Sequence, residues 1–183
     1  MCGRLEQLGS VWEREAEMGG TERPVIEDLR GVAIGPMLAL NNRHAEETSV
    51  LDEGRLAELI RMACFTRGMD GGGTALLIAM DESAEYENAN FGWFKARYER
   101  FVYVDRIILS DALRGRGVAR ELYEELFAWA LAAGQRQVVC EVNLLPPNPV
   151  SDAFHWKMGF VEVGRAENHG GAKTVRYLRK ELG

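Results

Sequence analysis

Residues 101–134 read as a strand, a glycine turn and an amphipathic helix in direct succession, and that order leaves the chain few folds. Val102, Val104, Ile107, Ile108 and Leu109 form a β-branched, apolar run of strand type. From Val118 the period changes: Val118, Leu122, Leu126, Trp129 and Ala133 recur at three and four residues, one face of a helix. Gly134 follows as the residue that closes the helix in a left-handed conformation. Between the two elements lies Arg114-Gly115-Arg116-Gly117-Val118-Ala119. Glycines there let main-chain N–H groups approach a ligand, and the helix behind them starts with unpaired amides at the positive end of its dipole. Such a turn is an anion cradle, and a phosphate is its natural occupant.

Three phosphate-binding patterns compete for the turn, beside an ordinary strand-turn-helix. A dinucleotide fingerprint wants a small residue where Arg120 stands. A P-loop wants Gly-Lys-Ser/Thr opening a helix, whereas Gly170-Gly171-Ala172-Lys173-Thr174 runs into a strand. The third, Arg-x-x-Gly-x-Ala at 114–119, resembles the pyrophosphate-binding signature of the GNAT superfamily of N-acetyltransferases, which hold acetyl-coenzyme A there.

A second signature follows in the family's order. Asn148-Pro-Val-Ser151-Asp-Ala-Phe154-His155-Trp-Lys-Met-Gly159-Phe160 keeps the spacing of Asn-x-x-Ala-x-x-Leu-Tyr-x-x-x-Gly-Phe, with Ser151, Phe154 and His155 in place of alanine, leucine and tyrosine. The resemblance spans roughly Gly31 to Leu182. It is strongest to a group of predicted acetyltransferases of unknown substrate, through NNRHAEETS at 41–49 and FVYVDR at 101–106. It implies an α/β (α+β) fold, a mixed and mostly antiparallel sheet with helices on both faces. Strands 4 and 5 of that sheet splay to admit the pantetheine arm. By the same resemblance Ile108, Leu109, Arg114, Gly115, Arg116, Gly117, Val118, Ala119, Asn148 and Ser151 bind acetyl-CoA, and a backbone N–H near Leu109 polarises the carbonyl.

A chain of 183 residues suits one domain, expected over 25–183, with 1–24 as an extension that is either a tail or a short helix on Leu5, Leu8, Trp12 and Ala16. A net charge of −6 argues against nucleic acid as a bulk partner. Cys2, Cys64 and Cys140 are isolated thiols without metal-ligand spacing, which suits a reduced cytoplasm and no metal site. No apolar run reaches the length of a membrane span, so no membrane partner is expected. A homodimer is expected from family habit alone.

Gly31 to Asn41 reads as the first strand, and Asn41-Asn42-Arg43-His44 as a turn. Asn41, Asn42 and His44 are candidate acceptor contacts by resemblance, or else cap-and-turn residues. Leu56, Leu59, Ile60 and Ala63 predict a helix over 53–63. Residues 65–81 read as a hairpin around Asp70-Gly71-Gly72-Gly73. The aromatic stretch Tyr86, Phe91, Trp93, Phe94 and Tyr98 predicts a short helix capped by Asn90, serving either as core or as a lid over the acceptor. Gln137–Asn143 is a strand stopped before Pro146-Pro147, and 161–165 with 173–178 form a closing hairpin.

Acetyl transfer to an amine needs a base, because such an amine arrives protonated with a pKa near ~10.4. Glu141 matches the glutamate base of ribosomal-protein acetyltransferases, and Asp105 a strand carboxylate of polyamine-type members; either also serves as an ion-pair partner. Asn143, on the face of Glu141, is placed to orient a water or the acceptor. His155 stands where the family keeps its tyrosine acid; its alternatives are packing beside Trp156 or bonding the cofactor, with Tyr103 and Tyr177 as substitute acids. The expected activity is direct transfer from acetyl-CoA to a small-molecule or peptide primary amine, without an acyl-enzyme. The other class left open is a non-catalytic acyl-CoA-binding module.

Overall fold

The computed structural model describes residues 25–46, 48–168 and 173–183. The extension read over 1–24 lies outside the described residues, as does the centre of the closing hairpin. The elements run α1 (Ile34–Arg43), α2 (Glu53–Met62), β1 (Phe65–Met69), β2 (Ala75–Asp81), α3 (Ala89–Lys95), β3 (Val102–Leu109), α4 (Val118–Ala132), β4 (Gln137–Leu145), α5 (Pro149–Lys157), β5 (Val161–Asn168) and β6 (Lys173–Glu181). They form one six-stranded sheet in the order β1-β2-β3-β4-β6-β5. Every pairing is antiparallel except β3 with β4.

Alternating strand residues feed two cores. Leu77, Val104, Val138 and Cys140 pack with Leu122, Tyr123 and Leu126 of α4 on one face. Leu76, Ile78, Tyr103 and Val139 pack with Met37, Leu40, Leu56, Leu59, Phe91 and Phe94 of α1–α3 on the other. β2 is therefore apolar and buried from Ala75 to Met80, as a strand covered on both sides must be.

The first strand expected over 31–41 is a helix instead. Met37, Leu40 and Asn41 are its buried residues, spaced three and one apart on a single helical face. Pro36 falls in the first turn, where its missing N–H leaves no bond unmade. What remains of an edge strand is the bridge of Glu27 with Gly68. The splayed strands, counted fourth and fifth by resemblance, are accordingly β3 and β4 here. They pair only at Val102–Val138 and Tyr103–Val139, and beyond those residues they part.

α3 forms over the aromatic stretch, but its cap is Asn88, whose side chain accepts from the N–H groups of Asn90 and Phe91. Phe91 and Phe94 are core, and Trp93 stacks on Tyr177 of β6 with ring centroids 4.2 Å apart. Gly164 of β5 makes room for that stack: a Cβ there would sit 2.5 Å from Trp93. Gly164→Ala should lower stability by about 1–3 kcal/mol through overpacking, read as a lower Tm. An unchanged Tm would mean that α3 shifts freely on the sheet.

Candidate active site

Two cavities open where β3 and β4 separate. The larger, about 480 Å³, runs along the glycine turn and α5; the smaller, about 280 Å³, lies between the strands beneath α3. Thr48, Ile107, Asn148, Ser151 and His155 line both and form the wall they share.

The larger cavity is built by the phosphate-type turn. Gly115 and Gly117 have φ of +74° and +85°, where a side chain is strained. A Cβ on either would meet no atom of the described residues within 4 Å, so they leave the space in front of the turn open. No side chain caps α4, which leaves its leading amides for a ligand. Ile108, Leu109, Arg114, Gly115, Gly117, Val118, Ala119, Asn148 and Ser151 all line this groove, whereas Arg116 does not. Asn148 also caps α5 through the N–H of Ser151 at 3.1 Å. Open glycines, an uncapped helix and an apolar flank suit a long ligand with a pyrophosphate, so the residues present fit coenzyme A.

Glu141, Asp105, Asn143 and His155 are brought together in the smaller cavity. Glu141 Oε1 accepts from Asn90 Nδ2 at 2.8 Å and from the Tyr103 hydroxyl at 3.0 Å. Its Oε2 is buried and has no hydrogen-bond partner among the described residues. Burial, and next the charge of Asp105, push its pKa up to about 7 against the two hydrogen bonds. Asn90 is held in turn by the Tyr177 hydroxyl at 3.0 Å. Tyr103 and Tyr177, the substitute acids, thus donate to Glu141 and Asn90. Asn90, read from sequence as a helix cap, and Tyr86, read as part of a core or a lid, both line the smaller cavity.

Asp105 is engaged on both oxygens, by Arg106 Nε at 2.6 Å and by the Tyr86 hydroxyl at 2.6 Å. A bulge accounts for the pair. Ile78 faces Arg106 and Ala79 faces Val104, so Asp105 has no partner on β2 and shares its face with Arg106. Arg106 reaches on to Asn41 Oδ1 at 2.5 Å. Asn41 Nδ2 donates to the carbonyl of Ser49, and Asn42 exchanges bonds with the main chain of Leu51. Asn41 and Asn42 line neither cavity; they fix the loop whose Thr48 and Ser49 do. His44 lines the larger cavity.

His155 is buried among Tyr123, Phe154 and Phe160 rather than beside Trp156. Its Nδ1 lies 2.8 Å from the carbonyl of Ser151, which can only accept, so Nδ1 carries the proton. Nε2 is then an acceptor, and it receives the Tyr123 hydroxyl at 2.8 Å. Burial lowers the histidine's pKa and keeps the ring neutral. Tyr123 lines the smaller cavity and was not singled out from sequence. The signal was available: the buried face of α4 is Val118, Leu122, Tyr123, Leu126 and Ala130, one position round from the stripe ending at Ala133.

Burial holds the Cys140 thiol protonated and pushes Cys64 up to about 12, so neither offers a thiolate. Among the described residues no cluster of three or more His, Cys, Asp or Glu could hold a metal ion, and no helix is long and apolar enough to cross a membrane.

A family model described as the acetyltransferase (GNAT) family matches residues 37–160. The chain belongs to that family. No match to a curated protein reaches significance. Among solved structures the chain is similar to the ribosomal-protein-S18-alanine N-acetyltransferase from Escherichia coli, at 16% identity and a TM-score of 0.64 over 87% of this chain and 94% of that one. It is similar to an acetyltransferase of the GNAT family from Streptococcus pneumoniae, at 16% identity and a TM-score of 0.65 over 88% and 100%. It is also similar to Naa20 of Chaetomium thermophilum in complex with a bisubstrate analogue, at 16% identity and a TM-score of 0.65 over 86% of each chain. Likeness at such identities shows the fold, which is the mixed sheet with two parting strands implied by the signatures.

Proposed function

We propose that residues 25–183 act as one catalytic unit that transfers an acetyl group from acetyl-CoA to a primary amine by direct attack. The observation that carries the proposal is Glu141: one oxygen pinned by Asn90 and Tyr103, the other buried without a partner, beside the acceptor cavity, with a pKa near 7. A carboxyl so held shares its time between acid and base at neutral pH, as proton removal from an amine requires. Asp105 supports it with charge while staying bound to Arg106 and Tyr86. The turn at 114–119 holds the pyrophosphate, and Asn148 and Ser151 close the groove from α5. Beyond Tyr103, no strand among the described residues pairs with β3 on its β4 side, which leaves main-chain N–H groups near Leu109 for the carbonyl oxygen. Acetyl-CoA, when bound, supplies the activated acyl group as a thioester. Asn143 and the loop at Thr48–Ser49 border the acceptor, a small molecule or a peptide end. A cytoplasmic homodimer is the proposed setting.

An acceptor panel followed by thiol release tests this reading. Acetyl-CoA-dependent release with at least one class of primary amine is the expected result. Tight acetyl-CoA binding with no turnover across amines, amino acids and peptides would leave the protein a binding module.

A further inference from the structure

We propose that Tyr123, held by His155, donates the proton that the departing thiolate needs, so that the acid expected on α5 is supplied from α4. The inference rests on the acetyl-CoA reading of the two cavities. Its ground is geometric. The position where the family keeps a tyrosine holds His155, and both ring nitrogens of His155 are committed, Nδ1 as donor to Ser151 and Nε2 as acceptor from Tyr123. A neutral ring so arranged has no proton to give into the cavity. The hydroxyl it holds does, because Tyr123 lines the cavity against the shared wall. His155 is therefore a positioning residue: its Nε2 fixes the phenol oxygen, and its Nδ1 bond to Ser151 fixes the tautomer.

The amine nitrogen forms its bond to the acyl carbon, and the C–S bond breaks with its electron pair on sulfur. The Tyr123 hydroxyl turns about its C–O bond from His155 Nε2 to the sulfur; its O–H bond breaks as the S–H bond forms. The amine attacks as the neutral base, its ammonium proton having already passed through Glu141 to solvent. The proton its nitrogen sheds on forming the amide leaves by the same carboxylate, and the phenolate recovers one from solvent. The titratable groups facing Tyr123 are Cys140 and Glu141 on β4 and His155 on α5, with the charge of Asp152 beside His155. Burial above all, and then Cys140 and Glu141, raise the pKa of the phenol and keep it protonated at rest.

A structural hydroxyl and a proton donor differ in what they do to bound coenzyme A. A donor aimed at sulfur stabilises the thiolate, so the thiol pKa of bound coenzyme A, followed by thiolate absorbance, should rise in Tyr123→Phe relative to the parent. Turnover should fall tenfold or more with little change in KM for acetyl-CoA. His155→Gln, which retains an acceptor, should keep more of the rate than His155→Phe. Fluorotyrosine at 123 retains the hydroxyl as a stronger donor and should lower the bound-thiol pKa, and it serves if Tyr123→Phe does not fold. A bound-thiol pKa unmoved by either replacement overturns the inference, as does a Tyr123→Phe enzyme within twofold of the parent kcat. If the parent itself binds no coenzyme A, the acetyl-CoA reading fails instead.

Discussion

Replacing Glu141 by glutamine should slow the enzyme and stabilise it at the same time. Glutamine keeps the size of the side chain and still accepts from Tyr103, but it cannot take a proton from the amine. Loss of a general base costs on the order of 10²-fold in kcat or more, so that drop is expected at pH 7. The deficit should shrink at alkaline pH, where free amine becomes abundant. In the parent, the rate should climb as pH rises through about 7, the pKa of Glu141. Stability runs the other way. Burial and Asp105 raise the folded-state pKa from 4.5 to about 7, so between those values the folded protein holds a proton that the unfolded chain has released. Stability therefore falls as pH rises through that window. A shift of this size corresponds to about 3 kcal/mol at most, and Glu141→Gln should recover part of it above pH 7. The checks are pH–rate profiles and denaturant unfolding at pH 5 and pH 8. A variant as fast as the parent at every pH would remove Glu141 from the base role.

Gly117→Asp should nearly abolish acetyl-CoA binding. The glycine sits at φ +85° with open space before it, so an added side chain points into the groove without striking the protein. Aspartate is among the residues that tolerate a positive φ best, which keeps the backbone cost small. The charge is what matters. A carboxylate about 4 Å from a phosphate oxygen opposes binding by about 4 kcal/mol at a surface-like dielectric, close to a thousandfold in Kd. Gly117→Asn carries the same bulk without charge and separates the two effects in calorimetric titrations. Asparagine should bind acetyl-CoA within about tenfold of the parent, since only the small backbone term remains. Unchanged affinity in the aspartate variant would place the cofactor elsewhere.

Much of the fold was legible because its signals are local. The strand, turn and helix over 101–134 carry their own periods and glycines, and the two signatures set the order of the C-terminal half. The region before Asn41 was misread because Val32, Ile34, Leu38 and Leu40 imitate an alternating strand, while the contacts that decide the matter, Met37 and Leu40 on the sheet, are long-range. The site shows the same division. Glu141 was marked by its place on a strand, but what tunes it arrives from far along the chain, Asn90 from 51 residues away and Tyr103 from 38. Strict alternation puts Asp105 and Arg106 on opposite faces, and only the bulge against β2 unites them. The substitution at His155 was visible, but not the partner that turns it inward, because a helix face read one position off excludes Tyr123.

The shared wall between the two cavities has a consequence for how ligands combine. Among the described residues the two linings share Thr48, Ile107, Asn148, Ser151 and His155 and otherwise differ. A compound that tethers an amine to the sulfur of coenzyme A would therefore occupy both at once, its second half arriving at an effective concentration set by the tether. Avidity of that kind commonly exceeds either separate affinity by roughly 10²- to 10⁴-fold, and it is lost when the linker cannot cross the gap. The length and polarity of the best such tether would thus measure, from outside, the distance from the thioester to Glu141 and the shape of the amine the protein is built to accept.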